Sequence, residues 1–135
     1  MNKVDQIFVH DPDRGQVGDC VRACLATLLN RALLDLPHFA QDYPDVLELN
    51  RAINDWLRAE HGLHLIEIDY ESFQDWLDFN VAGSVRHIIY GYSPRHIRHA
   101  VVGIDGVMVH DPHPSKAGLL SNASAEWTIG LLVLV

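Results

Sequence analysis

The stretch that decides the fold is Gly18-Asp19-Cys20-Val21-Arg22-Ala23-Cys24-Leu25-Ala26-Thr27-Leu28-Leu29, in which a polar lead-in gives way to an apolar run. Asp19 is a typical helix N-cap residue, because its carboxylate can accept hydrogen bonds from the first backbone N–H groups of a helix. The sequence therefore predicts a helix that begins at Cys20 and runs to about Asn30.

Two cysteines lie one helical turn apart in this stretch, and their expected roles differ. Cys20 falls in the first turn, where the positive end of the helix dipole favours a thiolate, so it is the candidate nucleophile. Cys24 lies deeper along the helix, where burial keeps a thiol neutral. The alternative is that both are core residues, since free cysteine is among the most buried residue types. No disulfide is expected, because Cβ atoms four residues apart on a helix are about 5–6 Å apart.

The composition is that of an ordinary globular protein, and we predict a single domain over residues 1–135. The chain has 48% hydrophobic and 21% charged residues and a formal net charge of −8. An acidic chain lacks the basic surface that binds nucleic-acid phosphates or anionic membranes, so neither is an expected partner. The N-terminal residues lack the apolar core of a signal peptide, and the apolar residues 131–135 are too few to span a bilayer, which predicts a cytoplasmic location.

The rest of the chain has the order of an α+β protein, with helices first and an antiparallel sheet afterwards. Apolar residues recur at helical spacing over residues 45–60, between Pro44 and Gly62, and predict the clearest helix. A third helix is predicted over residues 71–79. Strands are predicted over residues 7–9, 63–68, 85–92, 99–104, 107–111 and 127–135, the last of them central in the sheet.

A hairpin turn signal at Asp105-Gly106 decides whether His99 and Asp111 can meet. With a two-residue loop, Asp111 points away from His99. With a three-residue loop that also contains Ile104, His99 lies directly opposite Asp111, with the Cβ atoms about 4.5–5.5 Å apart. We predict the second register, in which the Asp111 carboxylate accepts the Nδ1–H of His99.

This pair matters because a nucleophilic cysteine needs a base to accept its proton and a third group to orient that base. His99 is the candidate base for Cys20, and Asp111 is the candidate orienting group. The ordinary alternatives are a histidine on a sheet surface and a turn residue before Pro112.

The nine histidines of the chain raise a metal site as a further alternative. The candidate ligands cluster near the predicted hairpin and are His96, His99, His110, Asp111 and His113. Neighbouring side chains on a strand point to opposite faces, so only some of these residues can converge on one ion.

Three segments together resemble a known family. Asp-Cys-x-x-Ala-Cys-Leu-Ala-x-Leu-Leu begins at Asp19, His-Ala-Val-Val-Gly begins at His99, and Asp-Pro begins at Asp111. They are similar to papain-like cysteine peptidases, in particular to the bacterial double-glycine leader peptidases and their short bacterial and phage relatives. The resemblance is weaker at residues 35–39. It implies a papain-like fold with the nucleophile helix packed on an antiparallel sheet, Cys20 as nucleophile, His99 as general base and acid, and Asp111 as the orienting carboxylate.

The chain departs from that family pattern at two positions. In most members, glycine directly follows the nucleophile, whereas this chain has Val21 there. Members also carry a glutamine about six residues before the cysteine as oxyanion donor, whereas this chain has Arg14 there. Gln16 is the candidate oxyanion donor instead. Asp19, Arg14 and His113 are the candidates for lining a substrate cleft.

The resemblance implies a cysteine-dependent hydrolase, a peptidase or amidase, that forms a thioester on Cys20, needs no cofactor or metal, and acts on a peptide or protein. One alternative is a weakly active or inactive protein of the same fold that binds a peptide in the cleft. Another is a His-rich metal-binding protein or a metal-dependent hydrolase. Reactivity of Cys20 separates the first two classes, and metal analysis separates the third.

Overall fold

The computed structural model describes residues 1–80, 83–121 and 126–135, and these residues form an α+β structure as predicted. The helices are α1 (Cys20–Leu29), α2 (Phe39–Asp42), α3 (Val46–His61) and α4 (Tyr70–Asn80). The strands are β1 (Leu63–Asp69), β2 (Arg86–Tyr92), β3 (Arg98–Ile104), β4 (Val107–His110) and β5 (Thr128–Leu134). The predicted helices of the α1, α3 and α4 regions are confirmed.

The five strands form one antiparallel sheet in the order β1-β5-β2-β3-β4. Ile129 of β5 pairs with Ile68 on one side and with Ile89 on the other. The prediction of a central strand at the end of the chain is therefore confirmed, as its continuous apolar run required.

Both faces of the sheet are covered, and β3 contributes to two cores because its side chains alternate. Ala100 and Val102 pack with the buried residues of α1, among them Leu25. Val101 belongs to a second cluster, on the other side, that includes Phe73 of α4. The apolar run of α1 is thus the layer that covers the sheet beside the first cluster.

Helix α3 follows the sequence signals closely. The Asp45 carboxylate caps it by accepting the N–H groups of Leu47 at 3.0 Å and Glu48 at 3.1 Å. Gly62 ends it in the left-handed conformation, with φ of 64°, which is the usual geometry of a glycine C-cap. In the part of the chain that the structure describes, no helix has both the length and the apolar character needed to cross a bilayer.

The predicted three-residue turn of the β3–β4 hairpin is wrong. Asp105 and Gly106 form a two-residue turn with φ of 52° and 83°, and Ile104 pairs with Val107. Two positive φ values suit the right-handed twist of the flanking strands. The Asp105 carboxylate accepts two backbone N–H groups just before β2, each at 2.8 Å, which ties the turn to that segment.

The hairpin then changes register at a β-bulge. Gly103 pairs with Met108, but Val102 pairs with His110, so Val109 is an extra residue on β4. Strand β4 ends at His110, and Asp111 lies outside the ladder.

The short strand predicted over residues 7–9 does not form. The backbone N–H of Phe8 donates instead to Asp19 Oδ1 at 2.8 Å. A side chain, rather than a strand ladder, therefore fastens the N-terminal segment to the start of α1.

Candidate active site

The site is organised around the first turn of α1, which holds the two thiols in different surroundings. Cys20 is partly exposed and lines a cleft, whereas Cys24 is fully buried in the core. Burial, followed by the negative charges of Cys20 and Asp111, raises the pKa of the Cys24 thiol well above its ordinary value. Cys24 therefore stays neutral, and the thiol available for chemistry is that of Cys20.

Asp19 is the N-cap residue of α1, as predicted, but the expected cap by its side chain is wrong. Asp19 precedes α1, but its carboxylate makes no capping hydrogen bond. It accepts the backbone N–H of Phe8 at 2.8 Å and lies 3.4 Å from Nη1 of Arg22, whose Nε donates to the carbonyl oxygen of Leu36 at 2.9 Å. Asp19 is thus a buried anchor for the N-terminal segment and does not line the Cys20 cleft, contrary to expectation.

This arrangement leaves the start of α1 open to an anion. The first N–H groups of a helix have no acceptor within the helix, and the helix dipole makes that end positive. Among the described residues, no acceptor meets the backbone N–H of Cys20. The first turn therefore retains donors beside the Cys20 sulfur.

His99 and Asp111 are brought together in spite of the different register. His99 Nε2 lies 2.7 Å from Asp111 Oδ1, and the side chains are only 5% and 1% exposed. The bulge at Val109 and the end of β4 at His110 let Asp111 approach His99 from outside the ladder. The contact uses Nε2 rather than the predicted Nδ1, so Nδ1 is the ring nitrogen left for Cys20.

The Asp111 carboxylate is held by three donors. Oδ1 accepts the backbone N–H of His113 at 2.9 Å as well as His99, and Oδ2 accepts the N–H of Gly118 at 2.7 Å. Burial alone would raise the pKa of this carboxyl, but these hydrogen bonds outweigh it and hold the pKa well below its usual range. Asp111 is therefore a fixed negative charge at neutral pH.

The charge of Asp111 determines the protonation of His99. Burial tends to lower the pKa of the imidazole, but the hydrogen bond to Asp111 and the interaction with Cys20 raise it to about 9. The imidazolium is thus the stable form at neutral pH, and a thiolate at Cys20 has a positive partner beside it.

A cleft of about 570 Å³ opens in front of these groups, and we call it the Cys20 cleft. This volume is within the usual range for small-molecule and peptide-sized pockets. It is lined by Gln6, Val9, His10, Val17, Gly18, Cys20, Ala40, Tyr43, Pro44, Val46, Leu49, Arg95, Ile97, Arg98, His99 and His113. Cys20 and His99 therefore share one cleft, and the candidate residue His113 also lines it.

The other two candidate residues lie elsewhere. The Gln16 side-chain amide donates to the carbonyl oxygen of Val9 at 2.6 Å, and Gln16 does not line the cleft. Arg14 is 81% exposed and forms an ion pair with Asp11 at 3.4 Å. The short loop between Asp11 and Gln16 closes on itself and keeps both candidates away from Cys20.

Gln6 is a cleft residue that the sequence analysis missed. It is 8% exposed, and its Nε2 donates to the carbonyl oxygen of Phe8 at 2.7 Å. Its backbone N–H donates to the carbonyl oxygen of Pro112 at 3.1 Å. Its Oε1 is buried without a hydrogen-bond partner in the described part of the chain. No local pattern marks this residue, because its position depends on contacts that the N-terminal segment makes with the start of α1 and with Pro112.

The histidines of the hairpin region are divided among separate contacts. His110 Nε2 meets the carbonyl oxygen of Val4 at 2.8 Å, and His113 Nδ1 meets Ser115. Within residues 1–80, 83–121 and 126–135, no group of three His, Cys, Asp or Glu side chains is placed to hold a metal ion.

No family model, curated protein or solved structure matches the chain. The geometry of the Cys20 cleft is therefore the feature of the molecule that points to a function.

Proposed function

We propose that the protein is a cysteine-dependent hydrolase of amide bonds, a peptidase or amidase of the papain-like type. The observation that carries the proposal is the buried His99–Asp111 pair, 2.7 Å apart, beside a cleft that His99 shares with Cys20 at the start of α1. A thiol, an imidazole and a carboxylate in this order form the arrangement that activates a nucleophile.

In the first half of the reaction, the Cys20 thiolate attacks the carbonyl carbon of the substrate and forms a tetrahedral intermediate. The C–N bond then breaks, and the His99 imidazolium gives its proton to the leaving amine. The acyl group remains on the sulfur as a thioester. In the second half, His99 takes a proton from water, the resulting hydroxide attacks the thioester, and the carboxylic acid leaves with the Cys20 thiolate restored.

Two groups are suited to stabilise the oxyanion of the intermediate. The first is the backbone N–H of Cys20 at the open start of α1, which no acceptor among the described residues occupies. The second is the side-chain amide of Gln6, which lines the same cleft and uses its Nε2 for one hydrogen bond to Phe8, leaving a second N–H. Gln6 replaces Gln16 as the side-chain donor in this proposal.

The first test is alkylation of the two cysteines by iodoacetamide between pH 5 and pH 9, read separately by peptide mass spectrometry. We expect iodoacetamide to alkylate Cys20 readily at neutral pH, because the His99 imidazolium lies beside the sulfur. In His99→Ala, the reaction at Cys20 should slow and move to higher pH, because the positive partner of the thiolate is gone. Cys24, which is fully buried, is the internal control and should stay unreactive while the protein is folded.

A matched control is His64→Ala, which removes a histidine from β1, outside the Cys20 cleft. It should leave the Cys20 profile unchanged. Circular dichroism spectra of His99→Ala and of the larger substitution His99→Gln check that any loss of reactivity does not come from unfolding. Slow alkylation of Cys20 that does not depend on His99 would contradict the proposal and favour a peptide-binding protein.

A further inference from the structure

The charge of the Cys20 cleft is opposite to that of the chain. The sequence has 18 acidic and 10 basic residues, yet no Asp or Glu among the described residues lines the cleft. The lining instead contains Arg95 and Arg98, as well as His99, which is paired with Asp111. A positive cleft in an acidic protein concentrates anions at that place.

The two arginines are held in position without losing their charge. Arg95 Nη1 donates to Ser115 Oγ at 3.0 Å, and the Arg98 guanidinium lies 5.4 Å from the centre of the Tyr92 ring. In the described part of the chain, neither arginine forms an ion pair. A guanidinium that is positioned by neutral groups remains free to bind a carboxylate through its fork of N–H donors.

His113 adds a neutral donor to the same wall. The backbone N–H of Ser115 donates to His113 Nδ1 at 3.0 Å, so the ring proton of the neutral imidazole is on Nε2. Nε2 is buried and has no partner among the described residues, and the ring centroid lies 5.9 Å from that of His99. Burial, and then the charge of Arg95, lowers the pKa of His113 and keeps this ring neutral.

The wall contributed by α2 and α3 is apolar. It is formed by Ala40, Tyr43, Pro44, Val46 and Leu49, where α2 ends and α3 begins. Tyr43 is 41% exposed and Val46 is 67% exposed, so this surface is open to a ligand. The cleft thus offers a cationic wall, an apolar wall and a nucleophile to one substrate.

We propose that the Cys20 cleft selects substrates that carry a carboxylate near the scissile bond and an apolar group next to it. The carboxylate binds to Arg95 and Arg98, with His113 Nε2–H as a further donor, and the apolar group packs against Tyr43 and Val46. This inference rests on the proposed hydrolase function and defines its substrate class. A C-terminal carboxylate and the side chain of Asp or Glu supply the same chemistry.

The test compares iodoacetate with iodoacetamide, two alkylating reagents of similar size of which only iodoacetate is an anion. The quantity measured is the ratio of their rate constants at Cys20, relative to the same ratio for glutathione. The His99 imidazolium alone attracts an anion, so the decisive result is the dependence of this ratio on the arginines. We expect Arg95→Gln and Arg98→Gln each to lower the ratio about fivefold by removing one nearby charge. Because each ratio is taken to the iodoacetamide rate of the same variant, a change in the basal reactivity of Cys20 cancels.

Arg86→Gln is the matched control, because Arg86 is exposed on β2 and does not line the cleft. Its ratio should equal that of the wild-type protein. High ionic strength should reduce the wild-type ratio, since salt screens the attraction. If Cys20 reacts fast with both reagents and the ratio is the same in all variants, the substrate inference is overturned and the hydrolase proposal stands. If Cys20 reacts slowly with iodoacetamide itself, the hydrolase proposal fails first.

Protection of Cys20 from iodoacetamide by short peptides then distinguishes the two sources of the carboxylate. The first pair is acetyl-Leu-Gly and its C-terminal amide, and the second is acetyl-Glu-Leu-amide and acetyl-Gln-Leu-amide. Stronger protection by the acid of the first pair identifies a chain end, and stronger protection by the Glu peptide identifies an acidic side chain. Equal protection, or none, by the acidic and neutral members of both pairs would overturn the inference.

Discussion

His87 lies beneath the Asp105-Gly106 turn, and His99 lies at the open end of the same β3–β4 hairpin; both imidazoles are buried. At the turn, His87 Nε2 accepts the backbone N–H of Gly106 at 2.9 Å, and Nδ1 lies 3.2 Å from the carbonyl oxygen of its own neighbour Ile88. Burial lowers the pKa of His87, whereas the pKa of His99 is raised to about 9.

The pKa values of His87 and His99 differ because of their hydrogen-bond partners and not because of how deeply they are buried. His87 exchanges hydrogen bonds with neutral backbone groups, which suit the neutral ring, and it therefore supports the turn. His99 faces the ionised Asp111 and the Cys20 sulfur, which suit the imidazolium. The same side chain is thus a neutral hydrogen-bonding group at one end of the hairpin and a protonated partner of a carboxylate at the other.

Asp111→Asn should reduce the difference between His99 and His87 more than any other single change, because it removes the charged partner of His99. The amide keeps the size of the side chain but removes the charge that holds the His99 proton, and it turns an N–H₂ group toward one of the three donors. We expect any hydrolysis that depends on this pair to fall on the order of 10²–10⁴-fold. The rate of Cys20 alkylation at pH 7 should fall less, on the order of tenfold, because an ordinary thiol still ionises in part at that pH. Asp105→Asn, at the turn end, is the matched control and should leave both rates unchanged. Equal rates in the two variants would make Asp111 a structural residue.

The pH dependence of stability sharpens the comparison, because the two histidines act with opposite sign. An unfolded histidine titrates near pH 6.5. The raised pKa of His99 stabilises the fold fully below that pH, and the contribution is lost as the pH rises to about 9. The lowered pKa of His87 gives a contribution that is full above pH 6.5 and is lost as the pH falls.

The measurement is urea unfolding at pH 5 to pH 9.5 for the wild-type protein, His99→Gln and His87→Gln. We expect the unfolding free energy of the wild-type protein to fall on the order of 3 kcal/mol between pH 6.5 and pH 9 relative to His99→Gln. His87→Gln should keep that decline and lose only the decline on the acid side. Parallel curves for the wild-type protein and His99→Gln would show that His99 carries no extra proton in the folded state.

The sequence was sufficient for those elements whose signals are local. The apolar period over residues 45–60, with Pro44 before it and Gly62 after it, predicted α3 to within a residue or two at each end. The continuous apolar run of β5 predicted a strand with neighbours on both sides, because an edge strand would leave that run exposed.

Features that depend on contacts between distant segments were not predictable in this way. Asp19 has the residue type of an N-cap, but the N–H of Phe8, eleven residues earlier, occupies its carboxylate. The choice of turn at Asp105-Gly106 was wrong, yet His99 and Asp111 still meet. The register shifts at the bulge, β4 ends at His110, and Asp111 reaches His99 from outside the ladder. A bulge has no sequence signal of its own here, since Val109 is an ordinary strand residue.

The finest comparison of the two ends comes from a pair of glycines. Gly106 has φ of 83° and donates its N–H to His87 Nε2, and Gly118 has φ of 71° and donates its N–H to Asp111 Oδ2. Alanine at either position costs about 1–2 kcal/mol of unfolding free energy in the left-handed conformation. The added Cβ meets only the end of a flexible side chain in each case, Gln74 or Met108.

The two alanine variants should therefore lose similar stability and differ in chemistry. Gly106→Ala should leave the rate of Cys20 alkylation unchanged. Gly118→Ala should lower that rate roughly tenfold, because a displaced N–H weakens a hydrogen bond to the carboxylate that orients His99. Stability is read by urea unfolding and reactivity by peptide mass spectrometry at pH 7. Equal rates in the two variants would mean that the loop after Asp111 only supports the fold, whereas the expected split would make its N–H groups part of the site.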